Sequence, residues 1–301
     1  MHRRTFLGRA AAAVAAGYPA KSVADVALGG GTLTTVSDGV LMLPLSLPED
    51  VPADDLAELA ARFGLVAGEA TPRPLNVTLW RGGGRTVLFD AGSGPSFVDT
   101  AGQLYDNLDA AGVSFDEITD VVFTHAHPDH IWGILDDFDE VPFPSASLWI
   151  GQREFEFWSD PSSLDSLGDT VQFFAVGAQR RLEAIADRLQ FLSDGDEVLP
   201  GITARASFGH TPGHLSFAIE DGGDRALILG DAVTNAHLQF ARPGWPADSD
   251  QEPETAATSR QAILSEAAAS GARIVGYHLP DGGIGRVEAD GEGYRFVADA
   301  A

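Results

Sequence analysis

Thr124-His125-Ala126-His127-Pro128-Asp129-His130 is the stretch on which the reading of this 301-residue chain turns. Three of the chain's eight histidines fall within six residues of one another here. The segment ahead of them, Val121–Thr124, is a short continuous apolar run, the pattern of a strand buried on both faces. His125 and His127 stand two apart at the end of that strand, so both side chains point to one side. Pro128 suits the first turn of a helix, and that turn carries Asp129 and His130 back toward the same point. Imidazole and carboxylate are the ligands a hydrolytic zinc ion prefers.

Outward from this motif the chain alternates strands and helices. Leu75–Trp80 and Thr86–Asp90 read as a hairpin closed by Arg81-Gly82-Gly83-Gly84-Arg85. That glycine run is not a phosphate loop, because no helix follows and no Lys-Ser/Thr closes it. Gln103–Ala111, Gly151–Trp158, Gln179–Leu189 and Thr255–Ser270 have helical spacing. Ser147–Ile150, Ile202–Phe208, Ser216–Glu220, Ala226–Leu229 and Arg273–Tyr277 read as strands, and the Pro- and acid-rich Arg242–Glu254 as a surface loop. No solenoid repeat or linker divides the chain, so one layered α/β domain is expected.

Composition trims the functional classes. Apolar residues make up 44% and charged residues 21%, a core-forming balance without any run of 18 apolar residues. There is no cysteine, which removes thiolate metal sites and Cys nucleophiles. A net charge of −25 repels phosphate backbones, so nucleic acid is not an expected partner. Met1-His2-Arg3-Arg4-Thr5-Phe6-Leu7 and the alanine run to Ala16 resemble a twin-arginine export signal, with Ser22-Val23-Ala24 as the cleavage site. The expectation is a removed signal over 1–24 and a mature domain over 25–301. That domain would be periplasmic or extracellular, with no stable membrane association.

The histidine motif resembles the metallo-β-lactamase fold, and the rest of the chain carries matching features. Gly209-His210-Thr211-Pro212-Gly213-His214 offers two candidates for the family's next histidine, 21 and 17 residues before Asp231. The longer spacing is the one used by the family's dinuclear hydrolases, which favours His210 as ligand and leaves His214 a supporting role behind it. Leu227-Ile228-Leu229-Gly230-Asp231 ends a buried strand in a carboxylate, and Gly276-Tyr277-His278 supplies the last histidine. Asp90, in Phe89-Asp90-Ala91-Gly92, fits the family's architectural Asp-x-Gly turn. The resemblance implies a single-domain four-layer αββα sandwich with two divalent ions, zinc first, with Mn, Co or Fe as alternatives. His125, His127 and His210 would hold one ion, Asp129, His130 and His278 the other, and Asp231 would lie between them. Two such ions about 3.5–4 Å apart share a water and bring its pKa toward neutrality. The resulting bridging hydroxide is the expected nucleophile, and Asp129 is the catalytic residue that orients it and carries a proton to the leaving group.

Departures from the family narrow the substrate. Asp231 stands where the Cys-containing β-lactamases use Cys. Thr234 stands where acyl-homoserine lactonases usually place Tyr, and glyoxalase II enzymes append a helical C-terminal region where about two dozen residues follow His278 here, so neither group is the expected one. The motifs most resemble the methyl parathion hydrolase group, through Phe143-Pro144-Ser145-Ala146, Glu154-Phe155-Glu156-Phe157-Trp158 and His278–Gly285. That group lines its leaving-group pocket with aromatics, and Phe97, Trp158, Phe173 and Phe174 are the substrate-binding candidates here. Each of them, and Trp132, has core packing as its alternative. The expected activity is hydrolysis of neutral aryl esters, lactones or organophosphate triesters. An acyl-homoserine lactonase is the nearest alternative, and an iron-dependent oxidoreductase of the same fold is a further one. The resemblance also implies a homodimer.

Overall fold

The computed structural model describes residues 24–46, 51–164 and 169–299; the expected signal lies outside them apart from Ala24. Two seven-stranded sheets form the body. The first runs in chain order through β1 (Ala24–Leu28), β2 (Gly31–Pro44), β3 (Ala70–Gly82), β4 (Arg85–Phe89), β5 (Asp120–Val122), β6 (Ser147–Gly151) and β7 (Leu189–Leu192). It is antiparallel as far as β4 and parallel beyond. The second contains β8 (Glu197–Leu199), β9 (Ile202–Ala206), β10 (Leu215–Asp221), β11 (Asp224–Ile228), β12 (Arg273–Val275), β13 (Ile284–Asp290) and β14 (Gly293–Ala298), also in chain order. Only β11 and β12 pair in parallel there.

The helices among the described residues are α1 (Ala53–Arg62), α2 (Leu104–Ala110), α3 (Pro128–Ile131), α4 (Gln152–Ser159), α5 (Pro161–Leu164), α6 (Asp169–Ile185), α7 (Leu238–Ala241) and α8 (Pro253–Ser270). They cover the outer faces of the sheets because the central strands are apolar on both sides. Val87 and Phe89 of β4 face the second sheet and meet Phe217, Ile219 and Ile228 between the layers. Leu88, on the opposite face, packs in the outer core with Leu104 and Leu108 of α2 and Leu182 of α6. On the far side, Leu227 and Ile274 lie under Ile263, Leu264 and Ala267 of α8. Alternate residues of one strand thus serve two cores, which gives the αββα order of layers. Among the described residues, no helix is long and apolar enough to cross a membrane.

Several segments depart from the sequence reading. The β1–β2 and β13–β14 hairpins were not read as strands. In β2 the period is broken by a bulge between Ser37 and Gly39, where Gly39 has φ 125°. Helix α6 begins ten residues earlier than the expected Gln179, because its first half leaves Phe173 and Val176 exposed and so hides the apolar stripe. The 242–254 segment is not a surface loop throughout: Ala247 and Asp250 are buried, and α8 begins at Pro253.

Candidate metal centre

The centre forms where the loops after β5, β9, β11 and β12 meet at one edge of the sandwich. Beyond β5 the chain leads to His127, the N-cap residue of α3, with Pro128 in the first turn. Asp90, held at φ 66° after β4, fixes this entry. Its carboxylate accepts hydrogen bonds from the Thr124 backbone N–H (2.8 Å), the Thr124 hydroxyl (2.9 Å) and His130 Nδ1 (2.8 Å). This matches an architectural rather than a ligating place for Asp90. Asp231 follows β11 on a tight turn over Gly230–Ala232, and His278 follows β12.

His125, His127, Asp129, His130, His210, Asp231 and His278 are all buried and converge. Three overlapping groups could each hold an ion: His125, His127 and His210; His125, His130 and Asp231; and Asp129, His130 and His278. One oxygen of Asp231 is 3.3 Å from His130 Nε2, and the other is 3.3 Å from His210 Nε2 and 3.2 Å from His278 Nε2. Asp129 lies 3.3 Å from His278 Nε2 and 3.5 Å from His130 Nε2.

The outward nitrogen of each imidazole is held, which sets its tautomer. His125 Nδ1 donates to Thr124 Oγ1 (3.0 Å), His130 Nδ1 to Asp90, His210 Nδ1 to Asp250 (3.1 Å), and His278 Nδ1 to the Pro74 carbonyl (3.0 Å). Each therefore turns Nε2 inward, where its lone pair would be given to an ion. His127 is reversed: its Nδ1 faces His210 Nε2 at 3.0 Å, and its Nε2 faces Gln251. Inside, His125 Nε2, His130 Nε2 and Asp231 Oδ1 are buried without a hydrogen-bond partner. Buried lone pairs that face one another cannot satisfy each other, and divalent cations would satisfy all of them. The residues therefore fit metal ions, and an all-nitrogen and oxygen donor set suits zinc, manganese, cobalt or iron.

Electrostatics agree with this. Burial alone would depress His210 and His278, but Asp231, with Asp250 or Asp129, outweighs it and pushes both up to about 9. Burial and the neighbouring imidazoles hold His125 and His127 well below their ordinary value. In the metal-free chain, the raised values of His210 and His278 stabilise the fold fully below the unfolded pKa near 6.5. That contribution is lost as pH rises through about 9. The thermal midpoint of chelator-treated protein is therefore expected to fall between about pH 6.5 and 9. The metal-loaded protein, whose cations replace those protons, should show no such fall.

His214 stands outside the donor cluster. Its Nε2 accepts the Asp231 backbone N–H (2.9 Å), so Nδ1 carries the proton and donates to Ser207 Oγ (2.7 Å). Ser207 then donates to Ser216 Oγ (2.8 Å), and Ser216 to the Leu229 carbonyl (2.9 Å). Burial, reinforced by His210, pushes His214 down to about 3, so it stays neutral. His210→Ala is expected to leave one ion per chain, whereas His214→Ala should keep two and lower thermal stability. Elemental analysis of dialysed protein decides this, and the reverse pattern would move the ligand role to His214.

The aromatic candidates separate. Phe174 lies 5.7 Å from the His127 ring and 6.1 Å from Phe97, whose ring meets Trp132 at 5.5 Å. Phe173 is 57% exposed, with its ring against Trp132. Of the two places open to it, Trp158 takes the core: it is fully buried behind His127, and its Nε1 donates to Glu154 (2.7 Å).

Glu154, Asp250, Gln251 and Arg260 were missed. Glu154 is fully buried and accepts four hydrogen bonds, from the Ala126 and Gly213 backbone N–H groups, Thr211 Oγ1 and Trp158 Nε1. It thus joins the His125–His127 loop to the His210–His214 loop. Arg260 carried a readable signal, since it interrupts the apolar face of α8 formed by Ala256, Ala257, Ile263 and Leu264. A guanidinium on such a face calls for a buried acid.

Fold and donor cluster together define the class. Residues 70–278 match the metallo-beta-lactamase superfamily, and the chain belongs to it. Among curated relatives, the uncharacterized protein YobT of Bacillus subtilis (strain 168) is 30% identical over 154 residues. That match spans 49% of this chain and 62% of YobT, so the chain covers less than two thirds of that relative. Among solved structures, the hydrolase AbOPH of the beta lactamase superfamily superposes with a TM-score of 0.86 at 27% identity, covering 94% of this chain and 99% of that one. AidC, a dizinc quorum-quenching lactonase in complex with a product, N-hexanoyl-L-homoserine, gives 0.84 at 25% identity, covering 92% and 97%.

Proposed function

We propose that this protein is a dinuclear-metal hydrolase of neutral ester-type bonds, with lactones and aryl esters as its leading substrates. The observation that carries the reading is the reach of Asp231, whose two oxygens each lie within 3.3 Å of a histidine from a different triad. Two divalent ions so held would supply a nucleophilic water at neutral pH and a Lewis acid for the carbonyl or phosphoryl oxygen. His125, His127 and His210 are the proposed holders of one ion, and Asp129, His130 and His278 of the other. Asp129, at the rim of the second group, is assigned the proton transfer to the leaving group.

Substrate class follows from the walls. Phe174 beside His127, with Phe97 against it, offers an apolar face for an acyl or aryl group. The net charge of −25 disfavours polyanionic substrates. The similarity to AidC favours lactones, and acyl-homoserine lactones are the second reading for that reason. Organophosphate triesters stay within the proposal on the methyl parathion hydrolase-like motifs. Export through the twin-arginine route, on residues 1–24, and a homodimeric assembly belong to the same proposal. The test is a hydrolysis panel on zinc-loaded protein: an aryl ester, an N-acyl-homoserine lactone, a phosphotriester and a phosphomonoester. Turnover of the neutral substrates without the phosphomonoester supports the reading. Hydrolysis of none of them, with one iron bound per chain, would overturn it.

A further inference from the structure

We infer that Asp250 and Gln251 are positioning residues for the first metal group, and that Gln251 presents its amide oxygen to His127 when the ion is held. The inference rests on the two-metal reading and goes beyond it to residues outside the ligand set. The segment between α7 and α8 passes behind His210 and is fastened by its backbone to Gly209 and His210. Gln251 N–H donates to the His210 carbonyl (3.1 Å), and Glu252 N–H to the Gly209 carbonyl (2.8 Å). Asp250 Oδ1 accepts the hydrogen bond of His210 Nδ1–H, which turns Nε2 toward the centre. Its other oxygen accepts from Arg260 Nη2 at 2.6 Å, and both side chains are fully buried. Arg260 Nε also donates to the Ala232 carbonyl (3.1 Å), one residue beyond Asp231. One guanidinium therefore fastens both the strap behind His210 and the turn that carries Asp231.

Gln251 adds a sharper requirement. Its Nε2 lies 3.3 Å from His127 Nε2, while its Oε1 is buried without a partner. If His127 gives its Nδ1 lone pair to an ion, the ring proton must sit on Nε2. That N–H needs an acceptor, and a half-turn of the Gln251 amide brings Oε1 to it. The same half-turn gives the orphaned oxygen its partner. Without a metal, His127 can carry its proton on Nδ1 and accept from the amide nitrogen as drawn.

The experiment compares Gln251→Glu, an acceptor of the same shape, with Gln251→Met, which has no amide. Zinc affinities are measured on the full chain by competition with a chromophoric chelator, and cobalt absorption reports the coordination sphere. Gln251→Met is expected to weaken one of the two zinc ions about 10–100-fold and leave the other unchanged. Gln251→Glu should hold both within about threefold of wild type and preserve the cobalt spectrum. Asp250→Asn should weaken the same ion as Gln251→Met. Two zinc ions in wild type with Gln251→Glu as weak as Gln251→Met would overturn this inference alone, since a donor or packing role would then be at work. Gln251→Met binding both ions like wild type would do the same. A wild-type chain that binds fewer than two zinc ions overturns the two-metal reading, and this inference with it.

Discussion

Asp231→Ala is expected to bind at most one metal ion and to lose hydrolysis by a factor of about 10³ or more. Asp231 touches every part of the centre: His130 through one oxygen, His210 and His278 through the other. Burial would raise its carboxyl, but His278 and His130 hold it well below the usual carboxylate range, so it is an anion throughout the working pH. Under the two-metal proposal, removing it takes away the charge that would draw two cations together. A single preorganised donor to a transition state is worth about 10²–10³ in rate, and here the groups that would make the proposed nucleophile disperse as well. His214 still holds the backbone N–H of residue 231, so the turn should survive and the loss should appear in metal content before it appears in folding. Zinc content and ester turnover measured on one preparation check this. An Asp231→Ala protein with two ions and wild-type turnover would contradict the bridging role.

Glu154→Ala should be the most destabilising single change near the centre, at about 3–5 kcal/mol. The carboxylate is fully buried, and its four donors come from three separate segments. Each orphaned donor costs about 1–3 kcal/mol, and some relief comes from rotation of the Thr211 hydroxyl and from water entering the gap. The Gly213 loop cannot slide in to compensate. It already lies so close to α4 that a Cβ at Gly213 would sit 2.1 Å from the Glu154 backbone nitrogen. At about 2–4 °C per kcal/mol for a chain of this size, the thermal midpoint should drop by roughly 6–20 °C. Glu154→Gln keeps the shape but turns an amide N–H₂ toward backbone donors, and should lose part of that. A midpoint for Glu154→Ala within about 2 °C of wild type would show that the two ligand loops are held by something else.

Much of this centre was legible because its residues announce themselves in one dimension. Histidines two and five apart at a strand end, and a carboxylate closing Leu227-Ile228-Leu229-Gly230, are chemistry at positions that packing alone would fill with apolar side chains. The layered fold was legible for a related reason, since continuous apolar strands such as Val121–Phe123 require cover on both faces. What stayed hidden was held by distance in sequence. Asp250 meets His210 across 40 residues, and Glu154 meets Gly213 across 59. A run rich in Pro and acid reads as solvent-exposed until the buried Arg260 behind it is seen. Phe173 and Trp158 show the converse case: two aromatics whose sequence settings look alike, one facing solvent and one sealed behind His127.

Titration of zinc into the metal-free full-length chain tests the central claim most directly. Two equivalents should bind, with protons released as His210 and His278 give up theirs, and hydrolysis of an ester or lactone should rise with loading. Saturation at one equivalent, or none, with no hydrolysis at any loading, would contradict it.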